Sequence, residues 1–315
     1  MGASRQPSWL SPEPVEVDPD PLLEKLGRSI SIPTRRRLNM FRVGLRTPTG
    51  AWRLLPDFMI IGTQRGGTSS LFKYLSYHPE IRASIRKEVE YFNRFRSQHG
   101  VSWYRAHFPL VGERLRAGKA GRQLLTFEAT PVYLDHPHTP RQVAELMPEI
   151  KLIVLLRDPI ARALSHYHHM SRLRLENLPF AQAIHFEEER IHHARAKVFA
   201  DPNYFSRIYT RVCYAYRGFY AEHLLRWFEH FSRDRLCPVM SEDLFSNPAA
   251  VLERILTFLG VDPSWRPLSF TNYSYRNGPR VAYRDMDATT RAFLEEKFAP
   301  HNERLASLVG PEFRW

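Results

Sequence analysis

The residues best placed to do chemistry lie in one stretch, Asp57-Phe58-Met59-Ile60-Ile61-Gly62-Thr63-Gln64-Arg65-Gly66-Gly67-Thr68-Ser69-Ser70-Leu71. A short apolar run enters a turn carrying three glycines, one cation and three consecutive hydroxyls. Leu71, Phe72 and Leu75 then recur at helical spacing until Pro79 imposes a stop. A strand that feeds such a turn and opens a helix aims backbone N–H groups at one point, which suits an anion. Gly66 and Gly67 let the backbone approach it, and Thr68, Ser69 and Ser70 add donors. The step from Gly62 to Gly67 is that of a Walker A loop, G-x-x-x-x-G-K-[ST], but Thr68 stands in the lysine's place and the cation has moved to Arg65. The loop is thus suited to a phosphate and not to ordinary triphosphate hydrolysis. The plain alternative is a glycine-rich turn without a ligand.

A second anchor follows in Lys151-Leu152-Ile153-Val154-Leu155-Leu156-Arg157-Asp158-Pro159. Asp158 is a good N-cap and Pro159 a good first helical residue, which leaves Arg157 at the carboxyl end of a buried strand. Ser165, two helical turns on, joins it in a pairing that suits a second phosphate; Arg157 alone would serve equally as an ion-pair partner. Two carboxylates are candidates for proton transfer. Glu88 precedes the aromatic segment Tyr91-Phe92, where burial would raise its pKa toward that of a general base. Glu128, in Phe127-Glu128-Ala129-Thr130-Pro131, ends another strand and is expected to point at the same cleft; either could instead be a structural carboxylate. The histidines at 136, 138, 166, 168, 169, 192 and 193 lack partners at metal-ligand spacing, so no metal is expected. His107 is a candidate on the acceptor side.

These residues need elements to hold them. Short apolar runs at Phe58–Ile61, Leu124–Phe127, Leu152–Leu156 and Leu236–Met240 alternate with helical patterns starting near Thr68, Arg141, Pro159 and Pro248. That alternation predicts an α/β fold with a central parallel sheet flanked by helices in three layers. Pro238 favours an edge for the fourth run. Residues 1–55 read as a proline-rich and basic arm with only short helical pieces such as Leu22–Leu26, and 56–315 as the catalytic domain, with 171–212 a helical insertion near the acceptor site. The chain of 315 residues carries a formal charge of +12, which calls for an anionic partner. The arm, with nine basic and five acidic residues, supplies +4, so +8 lies on the body. No run approaches the roughly 20 apolar residues of a membrane span, no signal peptide is evident, and two cysteines cannot form a disulfide scaffold. A cytoplasmic protein with free thiols at Cys213 and Cys237 is the expectation.

Gln64-Arg65-Gly66-Gly67-Thr68-Ser69-Ser70-Leu71 resembles the loop by which sulfotransferases hold the 5′-phosphosulfate of PAPS (3′-phosphoadenosine 5′-phosphosulfate). Leu156-Arg157-Asp158-Pro159 with Arg162, Ser165 and Tyr167 is similar to their 3′-phosphate motif. Lys87-Glu88-Val89-Glu90-Tyr91-Phe92-Asn93, Phe127-Glu128-Ala129-Thr130-Pro131, Trp103-Tyr104 through Phe108-Pro109 and Glu242-Asp243-Leu244 resemble the heparan-sulfate-type branch, in the same order over about residues 56–310. The resemblance implies a P-loop-like fold and transfer of a sulfuryl group from PAPS to a hydroxyl or amine of a carbohydrate, lipid or small molecule. It assigns Arg65 to the leaving group, Gly66, Gly67, Thr68, Ser69 and Ser70 to the 5′ end, Arg157 and Ser165 to the 3′-phosphate, and Glu88 to the base.

Three departures qualify it. Arg65 replaces the usual lysine and cannot donate a proton. Ala129 stands where heparan enzymes commonly have lysine, and Asn277-Gly278-Pro279-Arg280 replaces a Lys-Gly-Arg-rich loop, leaving Gly278 and Arg280 as further cofactor candidates. These changes favour a soluble, bacterial-type enzyme over one acting on heparan. A nucleotide kinase would instead require ATP and magnesium. A nucleic-acid-binding protein would need a recognition helix or a basic stripe interleaved with aromatics, which the chain lacks.

Overall fold

The computed structural model describes residues 32–273 and 286–315. Its centre is a five-stranded sheet made of β1 (Phe58–Gly62), β2 (Ile81–Ala83), β3 (Leu125–Ala129), β4 (Lys151–Leu156) and β5 (Leu236–Met240), in the order β2-β3-β1-β4-β5. Every pairing is parallel, with Phe58 opposite Phe127 on one side and Lys151 on the other. Alternate residues of a strand face opposite sides. Met59, Ile61, Leu152, Val154 and Leu156 accordingly join Tyr220, Leu224 and Trp227 in one core layer. Phe58, Ile60, Ile153 and Leu155 join Leu71, Leu75, Leu252 and Ile255 in the other. Both faces are covered by helices, which makes the expected three layers, and the central strands read as unbroken apolar runs for that reason.

The sheet also decides where a ligand can sit. From β1 the chain builds outward to β3 and β2 on one side and to β4 and β5 on the other. The strand order therefore reverses between β1 and β4, and ligands of open α/β sheets bind at the carboxyl ends there. Pro238 lies in β5, an edge strand, where proline is tolerated. β2 was not foreseen; three residues with Arg82 exposed in the middle carry too little apolar pattern to read as a strand.

Several expectations need correction. Residues 32–46 form one 15-residue helix in place of short helical pieces, with Val43 fully buried and Met40 packed against the same core. Arg46 Nη2 and Arg53 Nη1 both donate to the carbonyl of Phe108, at 2.5 and 3.1 Å. The three-arginine run obscured this apolar face; Leu22–Leu26 lies outside the described residues. Within the helical insertion two helices, Phe180–His185 and Glu187–Ala200, meet where the buried carboxylate of Glu187 accepts the amides of Ala215 and Tyr216 at 2.6 and 2.9 Å. Cys213 and Cys237 are free and buried. No helix among the described residues is long and apolar enough to cross a membrane.

Glu128 does not reach the cleft. It is fully buried in β3, where Tyr104 and Thr130 donate to it at 2.7 Å each and Tyr133 at 3.4 Å. Burial pushes its carboxyl from 4.5 up to about 7, against the pull of those donors. The folded-state value lies above the unfolded one, so the stabilisation is complete below pH 4.5 and is lost as the pH rises through about 7. The stability of wild type minus that of Glu128→Gln should therefore fall by up to roughly 3 kcal/mol between about pH 5 and about pH 8. Urea unfolding at the two pH values measures it, and a constant difference would refute the assignment.

Candidate active site

At the end of β1 the chain turns through two left-handed residues, Arg65 at φ 73° and Gly67 at φ 93°. Glycine is required at 67, since a Cβ there would lie 2.8 Å from Cζ of Phe245. The turn is braced from the sheet: Thr63 N donates to Leu155 O at 2.7 Å, and Ser241 Oγ donates to Gly66 O at 2.6 Å. Helix Thr68–Ser76 begins directly after it. Its first N–H groups precede any carbonyl of its own that could accept them, which is the anion cradle expected of this loop.

β4 delivers Arg157 beside the cradle. Its Nη1 donates to the carbonyl of Arg65 at 3.0 Å, and Arg65 Nε donates to Ser165 Oγ at 3.0 Å. The two anchors, a hundred residues apart in sequence, thus form one connected group. Asp158 caps helix Pro159–Arg172 by accepting from Ile160 N and Ala161 N at 2.9 and 3.4 Å, and its own amide donates to Glu242 at 3.0 Å.

Arg65, Gly67, Thr68, Ser69, Arg157 and Ser165 all line a cleft of about 630 Å³, and Glu88 stands on its wall. Gly66 and Ser70 do not line it. Gly66 lies behind the turn, where a Cβ would meet Thr63 at 2.9 Å; Ser70 is buried and accepts from Tyr273 N at 3.0 Å. Gly278 and Arg280 lie outside the described residues, although Asn272 and Tyr273 border the cleft.

Glu88 differs from its expected environment. Its side chain is 49% exposed, not buried among aromatics, and its carboxylate lies 2.7 Å from Lys87 Nζ. The aromatic packing goes to Val89, Tyr91 and Phe92 instead, and a left-handed backbone at Glu88 (φ 61°) swings the carboxylate into the open. Trp103 and Tyr104 are core residues, and so is His107, whose Nδ1 lies 3.1 Å from the carbonyls of Trp103 and Tyr104. Tyr204 and Phe205 border a smaller recess beside Asp135 and Arg217.

Among the cleft residues not singled out from sequence, three carry polar groups that bear on the site. Lys87 was visible only as the neighbour of Glu88. His169 lies one turn beyond Ser165 on the same helix, and that i+4 spacing would have found it. Burial, then the charges of Arg65 and Arg172, lower its pKa to about 4. The ring is neutral at physiological pH, and Arg172 Nη2, which can only donate, lies 3.0 Å from Nδ1; the proton therefore sits on Nε2. Gln64, the third, accepts from Nη1 of Arg217, whose Nε donates to Asp135 at 3.2 Å inside the protein.

A parallel three-layer sheet with an anion cradle at its switch point, two arginines in place of a Walker lysine and a carboxylate opposite defines a P-loop-like α/β transferase. The sulfotransferase domain model matches residues 55–295, and the chain belongs to that family. It is 30% identical over 283 residues to bifunctional heparan sulfate N-deacetylase/N-sulfotransferase 2 of Bos taurus, covering 81% of this chain and 29% of the relative. It is 29% identical to human heparan sulfate glucosamine 3-O-sulfotransferase 6, covering 84% of this chain and 74% of that one. The chain thus spans less than a third of the bifunctional relative's length. A sulfotransferase crystal structure from Alicyclobacillus acidocaldarius superposes with a TM-score of 0.64 at 26% identity, over 81% of this chain and 96% of that one.

The buried pair beneath Gln64 gives a prediction. Arg217→Met removes the guanidinium hydrogen-bonded to Asp135 in the interior, leaving the charges of Arg162 and Arg226 near it, and should cost roughly 3–5 kcal/mol. Adding Asp135→Asn should restore much of that loss. Urea unfolding of both variants reads the coupling, and a double variant no more stable than the single one would refute it.

Proposed function

We propose that this sulfotransferase takes its sulfuryl group from PAPS and passes it to a hydroxyl or amine of a carbohydrate, lipid or small-molecule acceptor, with Glu88 as general base. The observation that carries the reading is the convergence of the Thr68–Ser69 helix start, Arg65, Arg157, Ser165 and the Glu88 carboxylate on one cleft. Two cationic anchors, one at the end of β1 and one at the end of β4, fit a nucleotide that carries more than one phosphate group, and Thr68 in the lysine's place argues against an ordinary nucleoside triphosphate. PAPS would supply a sulfuryl group on a phosphosulfate anhydride, a good leaving arrangement.

Thr68, Ser69 and the first amides of their helix would hold the 5′-phosphosulfate, and Arg157 with Ser165 the 3′-phosphate. Arg65 neutralises the charge that grows on the bridging oxygen as the S–O bond breaks; a guanidinium stabilises that charge without giving up a proton. Glu88 removes the acceptor's proton as the acceptor oxygen or nitrogen bonds to sulfur, and Lys87 orients the carboxylate. His169 offers its Nε2 proton as a hydrogen bond from the same helix. Positioning and charge neutralisation supply most of the acceleration.

Glu88→Gln should lower release of 3′,5′-bisphosphoadenosine from PAPS, measured across a panel of glycan, lipid and phenolic acceptors, by about 10²–10⁴-fold. Its affinity for the bisphosphate should stay within about threefold of wild type, because the carboxylate faces the acceptor. Arg157→Ala should weaken bisphosphate binding about 10–100-fold by isothermal titration without added metal, the loss of one charged hydrogen-bonding partner. Tight binding of ATP with magnesium and none of the bisphosphate would overturn the reading in favour of a kinase.

A further inference from the structure

Helix Ile32–Arg46 is apolar on two opposite faces, and among the described residues only one of them is covered. Val43 is fully buried and Met40 packs beside it. Each helical residue advances about 100°, which places Phe41, Leu45 and Leu38 together on the far side from Val43. Those three are 63, 65 and 46% exposed. Arg37 falls on one flank of this stripe and Arg42 on the other, and both are exposed. Trp52, which closes the following turn, is 69% exposed. A solvated helix ordinarily carries polar residues where this one carries phenylalanine and leucine.

Charge identifies the partner. From Lys25 to Pro56 the sequence has eight lysines and arginines and no aspartate or glutamate; Arg46 and Arg53 turn inward to Phe108, while Arg37 and Arg42 are exposed beside the stripe. An apolar stripe of leucine and phenylalanine flanked by arginines, followed by an exposed tryptophan, matches the layered chemistry of a bilayer interface: acyl chains at the centre, anionic headgroups on either side. Fifteen residues are too few to span the roughly 20 that a membrane requires, so the helix would lie in the interface plane.

We propose that helix Ile32–Arg46, with Trp52, docks this protein on the surface of an anionic phospholipid bilayer. The helix connects to the cleft through its covered face: Arg86 Nη1 lies 3.4 Å from Met40 Sδ, and Arg86 Nε donates to the carbonyl of Glu88 at 2.9 Å. A helix held at the surface is therefore tied to the segment that carries Glu88. The proposal does not depend on the identity of the donor or acceptor.

The test is flotation of the full chain with vesicles of phosphatidylcholine alone and of phosphatidylcholine mixed with phosphatidylglycerol. The wild type should float with the mixed vesicles only, and raised salt should weaken the binding. Phe41→Ser/Leu45→Ser should lower the vesicle-bound partition roughly tenfold or more, while Phe293→Ser, at another exposed apolar site, should leave it unchanged. Both altered positions of the double variant are exposed, so its thermal melt should match wild type and report that the fold is intact. Failure of the wild type to float, equal binding to neutral and mixed vesicles, or undiminished flotation of the double variant would each overturn the proposal. So would a wild-type dimer in light scattering that the double variant converts to monomer, since the stripe would then be covered by a second copy.

Discussion

The hydrogen bond from Arg157 to the carbonyl of Arg65 is the contact on which the cleft depends. It joins the ends of β4 and β1 across the one gap where the strand order reverses, and Arg65 passes the connection on to Ser165. Both guanidinium groups are held here by neutral oxygens, a carbonyl and a hydroxyl. A neutral acceptor fixes the position of a cation, and the positive field of the cleft acts on the Asp158 and Glu242 carboxylates, which the charge of Arg157 favours in their ionised form. His169 reports that field, because Arg65 and Arg172 both oppose a further positive charge on its ring. A rigid frame is needed to keep like charges this close. The buried Arg217–Asp135 pair under Gln64 and the hydroxyl of Ser241 on Gly66 supply it from two other directions.

The same frame separates two glutamates by environment. Glu128 is enclosed and satisfied by three hydroxyls, with its carboxyl pushed up to about 7. Glu88 is open and paired with Lys87. They are nevertheless linked: Tyr133, which donates to Glu128, accepts from Tyr91 N at 2.9 Å, and Glu88 N donates to Ala129 O at 2.9 Å. The interior carboxyl thus fixes the strand and turn from which the exposed one projects. A carboxylate that must meet a substrate cannot also be buried, and each residue takes one of the two tasks.

Most of the architecture was legible in the sequence because parallel strands buried on both faces must be continuously apolar, and β1 and β4 are. The cradle and Arg157 were legible because glycine spacing and a helix N-cap are local features. What escaped depends on side-chain direction. Glu88 precedes one apolar segment and Glu128 ends another, and nothing local shows that a left-handed residue turns the first outward while Tyr104 and Thr130 enclose the second. Ser70 belongs to the hydroxyl run yet faces Tyr273, two hundred residues away. β2 is missed for the opposite reason: an edge strand with an exposed arginine at its centre is held by one neighbour and needs little apolar pattern.

The helix at 32–46 shows how a net charge can conceal a pattern. The first 55 residues sum to only +4, which reads as a mildly basic arm. That sum hides two opposite blocks: Met1 to Glu24 holds one cation and five acids, whereas Lys25 to Arg53 holds eight cations and no acid. Electrostatic attraction decays within about 8–10 Å at physiological salt, so a partner responds to the local block and not to the sum. The overall +12 is for the same reason no guide to a single polyanion. The cleft concentrates Arg65, Arg157 and Lys87 around a site the size of a nucleotide, and the helix sets Arg37 and Arg42 beside exposed Leu38, Phe41 and Leu45. The first arrangement suits a small, multiply charged ligand and the second an extended surface that is both anionic and oily. One composition therefore serves two chemically different surfaces, which only the placement of the apolar residues among the charges tells apart.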